Sequence, residues 1–256
     1  MDIQFDIKQH KNKNIKKGSV ICLIGARGSG KSVAVKALCD NFKEIPRFEV
    51  VSKTEKNNGF FSDFIPQDSI YHNYNMELLP QIFTRQDYLI NKYGKDDSRT
   101  HLVLILDDCL CDKRIWKSGE IGELLMNGRH RNITFIFTLQ YLIGINPELR
   151  TNIDFVFIYG QEANNDKKKI FDNYAGMFDN LQQFKKVFND ITEDYRCMVI
   201  NRSVKTNEIE KKIFWYKAPL DIKPFKAGHS MFWEKVDKKK EMEQSNKKGI
   251  RTRLIK

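Results

Sequence analysis

Residues 25 to 32 read GARGSGKS and follow the apolar run VICLI directly. A β-branched run that ends in glycine reads as a buried parallel strand. Beyond it, Val33, Ala34, Ala37, Leu38 and Phe42 recur at helical spacing over residues 30 to 43. The stretch fits G-x-x-x-x-G-K-[ST] as Gly25, Gly30, Lys31 and Ser32, in the strand–loop–helix setting this motif requires. Such a loop wraps a triphosphate with inward-pointing backbone N–H groups, and glycine lets the backbone come close to the anion. The candidate nucleotide contacts are therefore Gly25, Ala26, Arg27, Gly28, Ser29, Gly30, Lys31 and Ser32. Lys31 would bridge the β- and γ-phosphates of ATP, and the Ser32 hydroxyl would reach Mg²⁺.

A phosphate cradle needs a metal anchor, and residues 102 to 108, LVLILDD, offer one. In open α/β sheets, ligands sit at the carboxyl ends of the strands. Asp107 is the candidate metal ligand. Asp108 would face the other side of the strand if the pleat continues, where it could polarise an attacking water. The competing reading makes Asp108 a cap for the next helix. The run ITFIFTLQ ends in Thr138 and Gln140, and Gln140 is a candidate sensor of the γ-phosphate or the lytic water. Its bland alternative is a strand end facing solvent. Arg129, His130 and Arg131 precede that strand and should lie at the opposite sheet edge from Gln140. Arg129, Arg150 and Arg131 are candidate fingers onto a neighbouring subunit's nucleotide. Each could instead form a surface ion pair or a DNA-phosphate contact.

Further strands are expected at 48–52, 69–74, 101–108, 133–140 and 153–160, with helices at 77–93, at 114–128 and as a pair within 166–187. The segments YRCMVINRS and IEKKIFWYKA read as a C-terminal hairpin. Strands alternating with helices predict one α/β domain with a mainly parallel sheet and helices on both faces. We divide the chain into an N-terminal arm (1–17), a P-loop ATPase domain (18–220) and a basic C-terminal tail (221–256).

The formal charge is +11, which favours a polyanionic partner. More than half is local: residues 238 to 256 hold eight Lys or Arg against Glu241 and Glu243. No apolar run approaches the roughly 18 residues of a membrane span, and no apolar segment of signal-peptide type opens the chain. With five cysteines, an odd number, we expect free thiols in a reducing compartment. Cys109 and Cys111 form a C-x-C without a second Cys/His pair at zinc spacing, so Cys109 is expected to fill space at a strand end.

Together, GARGSGKS, LVLILDD, NGRHRNITFIFTLQY and LRTNIDFVFIYG resemble the genome-packaging ATPases of large cytoplasmic DNA viruses. That is the poxvirus-type branch of the FtsK–HerA superfamily, and the resemblance spans about residues 15 to 200. It implies a RecA-like P-loop NTPase core, a homo-oligomeric ring, and pumping of double-stranded DNA into a preformed capsid. It assigns Lys31 and Ser32 to nucleotide and metal, Asp107 to Mg²⁺, Asp108 to water and Gln140 to sensing. Many superfamily members have Glu where this chain has Asp108. Capsid or inner-membrane proteins become expected partners, and the virion and host cytoplasm (the viral factory) the expected location. DNA would be gripped through its phosphates, with Lys167 to Lys169 and the tail from Lys238 as candidate grips. Other readings are a helicase or other DNA pump, a nucleoside or nucleotide kinase, and a non-catalytic scaffold with a vestigial cradle.

Overall fold

A computed structural model describes residues 5–109, 113–116, 118–141 and 145–248. Cys111 and the end of the basic tail lie outside the described residues. In chain order, β1 (Lys8–Gln9) and β2 (Val20–Ile24) precede α1 (Lys31–Asn41) and β3 (Arg47–Ser52). There follow α2 (Glu55–Asn58), β4 (Ile70–Tyr71), α3 (Leu78–Tyr93), β5 (Leu102–Asp107), α4 (Lys113–Trp116) and α5 (Gly119–Asn127). Next come β6 (Ile133–Leu139), α6 (Pro147–Arg150), β7 (Phe155–Tyr159), α7 (Asn164–Tyr174) and α8 (Leu181–Ile191). The chain continues through β8 (Cys197–Asn201), α9 (Ile209–Lys212), β9 (Ile213–Tyr216) and α10 (Ser230–Lys248). The single helix expected over 114–128 is two, because the Ser118 side chain accepts from the Ile121 N–H and caps α5.

The strands form one sheet in the order β1-β9-β8-β7-β2-β6-β5-β3-β4. Only β8 runs against its neighbours. It pairs antiparallel with β7 and with β9, which is the C-terminal hairpin of the sequence reading. The central strands β2, β5, β6 and β7 are buried along their whole length, as parallel strands covered on both faces must be.

The period of two along each strand divides the core. Cys22, Leu104, Phe135, Phe137 and Ile158 pack with helices α3, α5 and α8 through Ile82, Leu124 and Phe188. Ile21, Leu23, Val103, Ile105 and Phe157 face the other way, onto α1 through Ala34, Val35 and Leu38. Phe135 and Phe137 stack at 5.0 Å, and burying an aromatic of this size contributes roughly 1.5–3 kcal/mol relative to exposure. Helices therefore cover both faces and leave the strand ends as the place where polar groups gather.

The N-terminal segment joins this sheet at its edge. β1 pairs in parallel with β9, and the His10 N–H donates to Trp215 O at 2.8 Å. The His10 ring then sits among Phe155, Phe157, Phe214 and Tyr216, with centroids 5.4 to 6.0 Å away. Its Nε2 has no hydrogen-bond partner among the described residues, and burial lowers its pKa from 6.5 to about 4. An unfolded chain binds this proton near pH 6.5 and the folded one does not until about pH 4. Stability should therefore fall as pH drops through that window, by about 3 kcal/mol from this residue. Urea unfolding of wild type and His10→Leu from pH 8 to pH 4 tests it. Wild type should lose about 3 kcal/mol relative to the variant as pH falls; curves that stay parallel refute the assignment.

The segment after β9 is tied back to the domain. The Ala227 N–H donates to Phe64 O at 2.9 Å, and Trp233 Nε1 donates to Ala227 O at 2.9 Å. Lys239 on α10 pairs with Asp68 at 2.7 Å.

Candidate active site

The phosphate loop lies between β2 and α1. Gly30 has φ 100°, a left-handed conformation that a side chain with a Cβ adopts only under strain. At Gly25 the constraint is space: a Cβ there would come within 2.7 Å of Ser29 Oγ and 2.8 Å of Tyr159 Cβ. Tyr159, at the end of β7, also donates through its hydroxyl to Gly30 O at 3.3 Å, so the loop is braced from the neighbouring strand. Ser29 Oγ is buried without a partner among the described residues. An orphaned donor inside a glycine loop fits a phosphate oxygen.

Lys31 is buried at the start of α1, and its Nζ donates to Gly25 O at 2.6 Å and Ala26 O at 2.9 Å. Burial lowers the pKa of its ammonium, while Asp108 and Asp107 oppose that shift. Both carboxylates thus act on Lys31, although Asp107 ends, and Asp108 follows, a strand that does not pair with β2.

Strand order explains how they meet. β6 lies between β2 and β5, with Leu23 opposite Thr138 and Leu106 opposite Phe137. The tips of β2, β6, β5 and β3 therefore line up along one sheet edge. Asp107 ends β5 buried, with Oδ1 accepting from Thr138 Oγ1 at 2.8 Å and Oδ2 accepting from Ser52 Oγ at 3.1 Å. Burial raises its pKa most; the Thr138 hydrogen bond opposes this, and Asp108 adds to it. Among the described residues no three His, Cys, Asp or Glu side chains form a metal cluster. A carboxylate at the end of β5, Asp107, and a hydroxyl at the start of α1, Ser32, are nonetheless the kind of oxygen donors that Mg²⁺ takes when phosphates and waters complete its shell.

Asp108 does not continue the pleat. The strand stops at Asp107, and Asp108 adopts φ 48°. Asp is among the few non-glycine residues that tolerate this conformation. Its N–H donates to Thr138 Oγ1 at 2.9 Å, and its Oδ1 lies 3.3 Å from the same hydroxyl. Both carboxylates therefore gather on one side, around Thr138, instead of facing opposite ways. Gln140, just past β6, donates through Nε2 to Asp108 Oδ2 at 3.0 Å. Ser52, Asp107, Thr138, Asp108 and Gln140 form one chain of hydrogen bonds.

The acidic pair and Gln140 were legible in the sequence; the parts played by Ser52 and Thr138 were not. Thr138 carried a signal, since it lies two residues before Gln140 and so shares its strand face. Ser52 carried none, because its role depends on β3 pairing with β5, Ser52 opposite Asp107.

A cleft of about 640 Å³ opens beside the loop, within the range of small-molecule sites. Gly28, Gly30, Lys31, Ser32 and Asp108 line one part of it. Arg27 and Val33 also line it.

The candidate finger arginines lie elsewhere. Arg129 and Arg131 occupy the turn Gly128–Arg131 that leads into β6, at the opposite edge from Gln140. Arg129 pairs with both Asp154 oxygens at 2.8 and 2.9 Å, and its side chain is 62% exposed. Arg131 pairs with Asp87 and Glu123 over the Phe83 ring. Arg150 bonds Asn173 and Ile145 O and lies 5.5 Å from the Tyr174 ring centre. Each arginine is thus held by partners within its own chain. On α7, Lys167 donates to Asn189 and Lys169 pairs with Asp166, at the helix surface. Cys109 is fully buried in the apolar cluster beyond β5.

The model of the family described as Poxvirus A32 protein matches residues 5–219. The chain belongs to the poxvirus A32 protein family. Uncharacterized protein L437 of Acanthamoeba polyphaga mimivirus is 36% identical to this A32-family chain over 243 residues, covering 90% of the chain and 84% of that relative. Uncharacterized protein 075L of Invertebrate iridescent virus 6 is 36% identical over 220 residues, 85% of this chain and 84% of the relative. Among solved structures, the genome packaging NTPase B204 from Sulfolobus turreted icosahedral virus 2, in complex with AMPPCP, superposes with a TM-score of 0.56. The identity is 16%, over 80% of this chain and 100% of that one. The EssC ATPases 2 and 3 from Geobacillus thermodenitrificans give 0.54 at 12% identity, over 92% of this chain and 45% of that one. At these identities the likeness concerns the fold, which is that of a P-loop NTPase. Among the described residues, no helix of the A32-family chain is long and apolar enough to cross a membrane.

Proposed function

We propose that this chain is an ATP-hydrolysing motor that translocates double-stranded viral DNA into a capsid. The observation that carries the reading is that Lys31, Ser32 and Asp108 line one cleft, with Asp107 and Gln140 joined to Asp108 by the bonds around Thr138. Membership of the A32 family and the fold shared with a genome packaging NTPase support it.

On this reading Lys31 leaves the carbonyls of Gly25 and Ala26 for the β- and γ-phosphates of ATP, and Ser29 Oγ gains the partner it lacks. Ser32 and Asp107 would hold Mg²⁺, which when bound neutralises charge on the phosphates. Asp108 accepts the proton of the attacking water, and Gln140 fixes the orientation of that carboxylate. An acidic pair beside a glutamine favours water as nucleophile over a nucleoside hydroxyl. Arg129, the more exposed of the arginine candidates, would exchange Asp154 for a neighbour's γ-phosphate in a homo-oligomeric ring. Capsid or inner-membrane proteins would be further partners, in the virion and the host cytoplasm.

The excess of positive charge suits a grip on DNA phosphates without base reading. ATP hydrolysis should therefore be stimulated by double-stranded DNA, and the stimulation should collapse between roughly 50 and 200 mM salt. Phosphate release measured with and without DNA across that range tests both parts. Protein that never cleaves ATP ends the motor reading, and stimulation indifferent to salt ends the backbone grip. Phosphoryl transfer to a nucleoside in place of phosphate release would identify a kinase.

A further inference from the structure

The cleft extends past the phosphate loop, away from the acidic pair, and this second half has no role in cleaving the terminal phosphate. It is lined by Asp194, Tyr195, Lys217, Ala218 and Leu220. These residues come from two turns at the same sheet edge as the loop. Because β8 runs antiparallel, its first residue Cys197 stands opposite Tyr159, the last residue of β7. Tyr216, the last residue of β9, stands opposite Cys197 in turn. The turn entering β8 and the turn leaving β9 are thereby brought beside Gly30.

Three features of these turns are unusual for a merely connecting surface. Asp194 and Tyr195 are consecutive non-glycine residues at φ 53° and 58°, a conformation disfavoured for any side chain with a Cβ. Backbone outliers of this kind cluster at ligand sites. Tyr195 is 67% exposed and Leu220 87% exposed, so an aromatic and an aliphatic face both stand open to the cleft. Finally, the turns are joined: Lys217 Nζ pairs with Asp194 Oδ2 at 2.5 Å, which holds the end of β9 against the entry to β8. A Cβ placed on Gly30 would lie 4.0 Å from Tyr195 Cδ1, so the ring stands directly beside the phosphate loop.

We infer that Tyr195 and Leu220 form the nucleobase subsite of this cleft, with the purine of ATP lying between the phenol ring and the leucine side chain. The deduction rests on the reading of the cleft as an ATP site. It assigns Tyr195 as the residue that separates a nucleotide from a bare polyphosphate. Stacking on an aromatic ring needs no particular hydrogen-bond pattern, so the subsite selects for a flat π-face of sufficient area. The antiparallel addition of β8 and β9 to an otherwise parallel sheet then has a functional consequence: it carries the base-binding turns to the strand edge where the phosphates are held.

Calorimetric titration of ATP and of inorganic tripolyphosphate, at fixed Mg²⁺, into wild type, Tyr195→Ala and Tyr195→Phe tests the assignment. Thermal melts confirm that each variant is folded, as expected for an exposed turn. Tyr195→Ala should raise the Kd for ATP roughly tenfold or more and leave tripolyphosphate binding as in wild type. Tyr195→Phe, which keeps the ring, should restore ATP affinity. An unchanged ATP affinity in Tyr195→Ala, or an equal loss for both ligands, overturns the subsite alone. Wild type that binds neither ligand overturns the ATP site and this subsite together.

Discussion

Asp108→Asn is expected to lower kcat for ATP hydrolysis by about 10²–10⁴-fold while leaving the Kd for ATP unchanged. The substitution keeps the shape of the side chain, and an amide oxygen can still face Thr138, which lies 3.3 Å from Asp108 Oδ1. What it removes is the capacity to take a proton from water. Asp108 is also not the anchor of the phosphates, which fall to Lys31 and the loop. The effect should therefore sit in the chemical step, and single-turnover hydrolysis set beside equilibrium binding would show it. Hydrolysis at the wild-type rate would remove Asp108 from the reaction. A fall in kcat matched by an equal loss of binding would give Asp108 a structural role in place of a catalytic one.

The second large effect is at Lys31. Lys31→Ala should abolish measurable hydrolysis, because the only ammonium aimed into the loop among the described residues is lost. The nucleotide-free protein should still fold. Among the described residues Lys31 donates only to Gly25 O and Ala26 O, at the loop's own backbone. Leaving two carbonyls short of a donor costs about 1–3 kcal/mol each if no water replaces it. Thermal melts with and without ATP separate the two contributions: the variant should melt cooperatively and lose the ATP-dependent rise in Tm. If Lys31→Ala still hydrolyses ATP, the loop is not the cradle. If the variant loses hydrolysis yet still supports DNA packaging, the chain is a scaffold and not a motor.

Much of the site was legible because its parts are local. The strand, the glycine loop and the start of α1 lie within residues 20 to 41, and each is specified by its own spacing. The metal strand was legible for a similar reason: five apolar residues before Asp107, two of them β-branched, read as a strand buried on both faces. Gln140 followed from the end of the next strand.

What misled was the assumption that a strand's alternation runs on to the last polar residue. Asp108 sits at φ 48° because its N–H meets Thr138, thirty positions away in sequence and on another strand. Nothing near Asp108 in the chain announces that hydroxyl. The same holds for Ser52 beside Asp107, for Arg129 on Asp154 and for Tyr195 beside Gly30. These contacts join segments that meet only when the sheet has assembled in its particular order.

Local pattern alone thus determined that this chain has a phosphate loop, an acidic strand end and a mainly parallel sheet, because periodicity and glycine chemistry act over a few residues. Tertiary structure alone decided that β6 separates the loop from the acidic pair, that Thr138 gathers both carboxylates, and that β8 and β9 return to the nucleotide edge. Strand order and long-range hydrogen bonds depend on how all the helices pack against both faces at once, which no short stretch of sequence encodes.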